Sequence, residues 1–206
     1  MTKRLFAGLA GLALCAAGGL AALGTARADE AARATPGSAA AAFSLQDTTG
    51  TTHTLEQYKG KVVVLEWFNP DCPFVKKHHM NAKTMKDTAE KYAGRDVVWL
   101  AINSGSAGKQ GSGLERNVKA KADYGIPYPV LMDPTGATGR AYGAVVTPHM
   151  FVIDRDGKIA YNGAIDDDRS ANKVGRNLVA AALDAVLEGK PVETATSRPY
   201  GCSVKY

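Results

Sequence analysis

The chain divides into short apolar runs whose periodicity switches between two and about 3.6 residues. "FSLQD" and "THTL" alternate around Thr48, Thr49 and Gly50, which predicts a hairpin. "KVVVLEWF" (61–68) is β-branched and shows no polar alternation before Glu66, the pattern of a strand buried on both faces. From Pro73 to Tyr92 the period becomes helical: Phe74, Val75, His78, Met85, Ala89 and Tyr92 share one side, and Gly94 stops the run. "DVVWLAIN" (96–103) predicts a second buried strand, followed by a glycine-rich loop, "SGSAGKQGSG", and a short helix closed by Gly125. "YPVLMD" predicts a strand and "TGATGRAYG" a short helix. "HMFVIDRDGKIAYNG" is a hairpin around Asp156–Gly157. A last amphipathic helix carries Val174, Leu178, Ala181, Ala182, Ala185 and Val186, and ends at Gly189 and Pro191. Strands alternating with helices, then a hairpin and a helix, predict an α/β fold with a mixed central sheet covered on both faces.

The ends change the picture. "MTKR" is basic, the next twenty residues are rich in Ala, Gly and Leu, and Ala26-x-Ala28 is a small-residue exit. Residues 1–28 are therefore expected to be a secretory signal cleaved after Ala28, which leaves a periplasmic or otherwise exported protein. Leu14 stands before Cys15, which argues against lipidation. Residues 29–42 are small and polar and are expected to be a flexible leader. The domain proper spans 43–190, and 191–206 form a C-terminal tail. No later apolar stretch is long enough to cross a bilayer, so no stable membrane insertion of the mature chain is expected. Cleavage removes Lys3, Arg4 and Arg27 from 25 basic residues, leaving 22 against 20 acids, so the basic precursor does not point to nucleic acid. Cleavage also removes Cys15, and the mature chain keeps Cys72 and Cys202 in an oxidising compartment.

Cys72 lies where a strand gives way to a helix. Such a cysteine faces unpaired backbone N–H groups and the positive end of the helix dipole, which stabilise the reactive thiolate. Pro73 suits the first helical turn, where its missing N–H costs nothing. Lys76 and Lys77 would add to this, and Asp71 would oppose it.

"EWFNPDCPFV", followed later by "VVTPHMFVIDRDGKI", resembles the thioredoxin-like superfamily, and more narrowly its exported redoxin branch of alkyl-hydroperoxide-reductase and thiol-specific-antioxidant domains. The resemblance covers residues 40–190 and implies a thioredoxin-like fold with Cys72 as nucleophile. It also implies a buried acid at Glu66 that moves protons, for which burial would raise the carboxyl's pKa. Thr147–Pro148 matches the family's cis-proline, whose preceding residue can pair with an incoming chain. Thr147, Pro148, Asn69 and Pro73 are accordingly expected to contact substrate.

Two departures bear on the activity. Val75 stands where a thioredoxin has its second cysteine. Leu65 and Asn69 stand where a peroxiredoxin has its proline and its threonine or serine. Cys202 is then the one further thiol of the mature chain and the expected resolving cysteine, carried by a flexible tail. A structural clasp is the alternative; closing a loop of roughly 130 residues would contribute about 5 kcal/mol. A protein disulfide or a peroxide is the expected substrate, and an external thiol reductant resets the enzyme. A thiol peroxidase is one alternative, and a copper-binding or chaperone-like module another. His78 and His79 follow Cys72, but neighbours on a helix point about 100° apart and rarely reach one metal. One of them is expected inside and one in solvent. No cofactor and no metal are therefore expected. Lys109–Gln110 lacks the order of a phosphate loop. Ser170 or a neighbouring aspartate is expected to cap the last helix.

Overall fold

The computed structural model describes residues 34–170 and 172–206. The expected secretory signal (1–28) and the first residues of the leader lie outside the described residues. Two parallel pairings form the sheet's centre: β3 (Val62–Trp67) with β4 (Val97–Asn103), and β4 with β5 (Val130–Met132). β1 (Ser44–Asp47) and β2 (Thr52–Thr54) extend one edge as the expected hairpin, paired Ser44 to Thr54. β7 (His149–Ile153), antiparallel to β3, and β8 (Ile159–Gly163), antiparallel to β7, extend the other edge. The order is β2-β1-β5-β4-β3-β7-β8. This is the mixed sheet that the strand pattern predicts, in the thioredoxin-like arrangement that the resemblance implies.

All six residues of β3 are buried, as its unbroken apolar run requires. Its side chains alternate between two cores. Val62 and Val64 pack with Phe68, Cys72, Val75, Met85 and Tyr92 on one face. Val63, Leu65 and Trp67 pack with Leu100, Ile102, Tyr142 and Phe151 on the other. Trp67 meets Phe151 edge-on at 5.2 Å. Such contacts stabilise by about 0.5–1.5 kcal/mol beyond area burial.

The helical run after Cys72 is broken. α1 (Pro73–Lys76) passes into a π-helical turn (Lys77–Asn81), and α2 (Thr84–Tyr92) starts only after Lys83, which has a left-handed φ of 53°. No glycine or proline marks this break. The apolar residues on either side keep helical spacing, so the sequence reads as one helix. α3 (Leu114–Asp123), α4 (Ala137–Tyr142) and α5 (Leu178–Leu187) follow the pattern. α5 begins later than its apolar spacing suggested, and Val174 is exposed. Its cap is Asn177, whose side chain accepts from the Ala180 N–H at 2.8 Å, rather than Ser170 or an aspartate.

Both ends of the described chain depart from expectation. Residues 34–42 are not free. Gly37 N–H donates to Ile159 O at 2.8 Å, Ala40 N–H to Gly157 O at 2.9 Å, and the Asn162 amide to Ala34 O at 2.7 Å. The β7–β8 hairpin thus offers backbone groups that this small, polar stretch can satisfy. The tail is not free either. β9 (Cys202–Ser203) pairs antiparallel with β6 (Val146–Thr147), with Cys202 opposite Thr147. Among the described residues no helix is long and apolar enough to cross a membrane.

Candidate active site

Cys72 is the residue before α1 and has an extended backbone, with φ −80° and ψ 123°. Its carbonyl accepts the first helical hydrogen bond, from Lys76 N–H at 3.0 Å, and Pro73 takes the first helical position. The turn that presents it is fastened by Asn69. The Asn69 carbonyl oxygen accepts from Asp71 N–H at 2.8 Å, and its amide donates to Gln110 O at 3.1 Å. Asn69 was expected to contact substrate. Both ends of its side chain are instead committed to the turn and to the glycine-rich loop. That loop is fixed in turn, because Asn103 and Asn117 donate to Gly111 O at 2.8 and 3.1 Å.

The Cys72 sulfur is fully buried and donates to the Thr147 carbonyl at 3.0 Å. The Thr147–Pro148 bond is cis, as the resemblance implied. Cys202 lies directly opposite Thr147 in the β6–β9 pair, so tail and cysteine meet at this one peptide. Both thiols are free. Burial, a hydrogen bond shared with Cys72 and the proximity of that thiol push Cys202 up to about 11. Cys202 therefore stays protonated near neutral pH. The expected pairing in space is found, but through strand pairing rather than through a loose tether.

The charges around Cys72 differ from the expectation. Asp71, expected to oppose the thiolate, is held by Arg116 at 2.6 Å. Arg116 escaped the sequence reading because it lies 45 residues away on α3. Lys77, expected to assist Cys72, points elsewhere. Its ammonium donates to Asp168 O at 2.9 Å, to Ser170 O at 2.8 Å and to the Tyr200 hydroxyl at 3.2 Å.

Glu66 lies on the Cys72 face of β3, fully buried. Its carboxylate accepts from three side chains: His79 at 2.6 Å, Tyr128 at 2.9 Å and Trp99 at 3.2 Å. Burial alone would raise its pKa, as the sequence suggested. The His79 charge and the three hydrogen bonds outweigh burial and hold it below the ordinary value. The same burial and the adjacent carboxylate push Tyr128 well up.

Both helix histidines are inside, against the expectation of one inside and one in solvent. The π-turn lies between β3 and the tail, so His79 reaches Glu66 and His78 reaches Tyr200 at 2.9 Å. His149, the residue after Pro148, is engaged away from the helix histidines. Its ring stacks on Phe151 at 4.5 Å and bonds Asn162 at 2.7 Å. Burial lowers its pKa to about 4, so it is neutral near pH 7. Among the described residues no group of three His, Cys, Asp or Glu side chains is arranged to hold a metal ion.

These features agree with known proteins. The family model described as Redoxin matches residues 35–178. Thiol-disulfide oxidoreductase ResA of Geobacillus thermodenitrificans is 31% identical over 124 residues, covering 60% of this chain and 66% of that protein. The selenocysteine-containing peroxiredoxin PrxU of Peptoclostridium acidaminophilum is 30% identical over 158 residues, covering 71% of this chain and 74% of that one. The chain thus spans about two thirds of the length of such relatives. The crystal structure of SMc02350 from Sinorhizobium meliloti 1021 superposes with a TM-score of 0.76 at 33% identity, covering 84% of this chain and 94% of that one. With a match across most of its length and the cysteine turn and cis-proline in their places, the chain belongs to the Redoxin family.

Proposed function

We propose that the protein is a thiol–disulfide oxidoreductase that cycles between a Cys72/Cys202 dithiol and a Cys72–Cys202 disulfide. The observation that carries this reading is the pairing of Cys202 with Thr147, the residue whose carbonyl holds the Cys72 sulfur. The Cys72 thiolate attacks one sulfur of a substrate disulfide, and the other sulfur leaves as a thiolate that takes up a proton. Cys202 loses its proton and attacks the Cys72 sulfur of the mixed disulfide, releasing the second substrate thiol. Two electrons pass from the protein to the substrate, and an external dithiol returns them. A thiol held protonated near pH 7 is a poor first attacker, which assigns the first attack to Cys72 and resolution to Cys202. A redox role is favoured over a permanent clasp because hydrogen bonds of Tyr200 and Tyr206 already seat the tail without a covalent tie.

A peroxidase reading has the support of relatives such as PrxU. The Asn69 side chain is turned to the turn and loop, its oxygen accepting from Asp71 N–H and one of its amide N–H groups donating to Gln110 O, and this orientation favours disulfide exchange over peroxide binding. Glu66 has its oxygens taken by His79, Tyr128 and Trp99, so any proton it exchanges comes through this set of partners. Export rests on residues 1–28, and N-terminal sequencing of the native protein is expected to begin at Asp29.

The test is peptide mapping without reductant after treating the reduced protein with a model disulfide. A Cys72–Cys202 crosslink is expected, and Cys202→Ser should trap a mixed disulfide on Cys72. Faster oxidation by hydrogen peroxide than by the disulfide would favour the peroxidase. A crosslink that dithiols cannot open would favour the clasp.

A further inference from the structure

Tyr200 lies two residues before Cys202, and its ring is buried against Phe74 at 5.6 Å. Its hydroxyl enters a polar group that the chemistry above does not use. The hydroxyl donates to the Asp166 carboxylate and accepts from Lys77 at 3.2 Å and from His78 at 2.9 Å. One donor proton and two lone pairs are thereby all engaged. The partners are equally committed. Lys77 spends its three protons on Asp168 O, Ser170 O and Tyr200, and Asp166 accepts further from Gly175 N–H at 2.9 Å. His78 donates through Nε2, which leaves Nδ1 as an acceptor with no partner, as in a neutral ring. Burial, offset in part by Asp166, lowers its pKa to about 4, in keeping with that state.

Beyond Cys202 the tail is tied again. Val204 N–H donates to Val145 O at 3.1 Å, Lys205 O accepts from Ser106 N–H at 2.8 Å, and the Tyr206 hydroxyl donates to Ala144 O at 2.8 Å. Between these ties, β9 covers the edge of β6 beside the cis-proline, and Cys72 beneath has no exposed surface.

We propose that Tyr200 is the positioning residue of the redox pair: latched by Asp166, Lys77 and His78, it seats Cys202 at Cys72 and closes the β6 edge to extended polypeptides until the latch opens. This rests on the reading of Cys202 as the partner of Cys72. A seated strand raises the effective concentration of one thiol at the other, which favours the intramolecular disulfide over mixed disulfides. The same strand occupies the backbone groups of β6 that an incoming chain would use for strand addition.

The test compares the wild type, Tyr200→Phe and Gly201→Ala. The first removes the hydroxyl and leaves three buried groups short of a partner. The second acts on the seat without touching the latch, because a Cβ on Gly201 would lie 1.9 Å from Thr147 O. Two quantities are read: the equilibrium constant of the Cys72–Cys202 disulfide against glutathione, and the rate at which a bulky maleimide labels Cys72 in the reduced protein. Loss of a buried hydrogen bond at the latch should lower the first and raise the second, each about tenfold. Tyr142→Phe, which loses a hydroxyl contact to Ala41 O in the opposite core, should lower the melting temperature and change neither quantity. If the wild type forms the disulfide and both tail variants keep wild-type values, the latch is overturned and the redox pair stands. If the wild type never forms the disulfide, the pair and the latch fall together.

Discussion

Replacing Glu66 tests whether the buried carboxylate is an anchor for the core behind Cys72. Glu66→Leu keeps the volume but leaves the His79 ring, the Tyr128 hydroxyl and the Trp99 N–H without their acceptor. Each buried donor left unpaired costs about 1–3 kcal/mol. The added apolar burial returns about 1.5–3 kcal/mol at most. Taken at mid-range for the three donors, the net expectation is a loss of about 4 kcal/mol, within the roughly 3–5 kcal/mol found when one partner of a buried ion pair is removed. Glu66→Gln keeps one carbonyl oxygen, which Tyr128 and Trp99 can share, so its loss should be nearer 1 kcal/mol. The assay is urea denaturation of the reduced protein at pH 7, repeated at decreasing pH. The folded carboxyl titrates below its ordinary value of 4.5. Its contribution is therefore complete above pH 4.5 and is lost as the pH falls through the folded value. Glu66→Gln should lack that acid loss. A Glu66→Leu protein within about 1 kcal/mol of wild type would refute the anchoring, because the three orphaned donors would then cost no more than the added apolar burial returns.

Other outcomes follow from the same geometry. Arg116→Gln frees the Asp71 carboxylate next to Cys72. Disulfide exchange should slow severalfold in stopped-flow assays, while stability changes by only about 1 kcal/mol for a pair this exposed. His78 and His149 are each lowered from 6.5 to about 4, chiefly by burial. The unfolded chain then binds more protons below pH 6.5, so stability is complete above pH 6.5 and falls between 6.5 and 4, on the order of 2–3 kcal/mol per histidine. Calorimetry across that range should show the fall, and a flat profile would contradict the buried neutral rings. Gly111→Ala places a Cβ 2.0 Å from the Asn69 carbonyl oxygen at a φ of 74°. It should loosen the turn that presents Cys72 and lower both the melting temperature and the exchange rate.

Much of the fold was legible because it depends on local periodicity. The unbroken run at 62–65 and the Asp156–Gly157 turn each specify a backbone without help from distant residues, and each lies where the pattern put it, while the cis bond before Pro148 was implied by the family resemblance. Cys72 at a strand-to-helix turn was likewise legible, and Cys202, the thiol expected to serve it, lies opposite Thr147. What the sequence did not contain is the set of contacts that decide charge and order. Glu66 reads as a carboxyl raised by burial until His79 is brought to 2.6 Å, 13 residues on, through a π-turn with no sequence mark. Asp71 reads as an opposing charge until α3 supplies Arg116. The tail reads as a tether until Tyr200 meets Lys77, more than 120 residues away, and β9 finds β6. Periodicity is a property of neighbouring residues and survives in one dimension. The state of a buried charge and the seat of a tail depend on partners that only folding brings together.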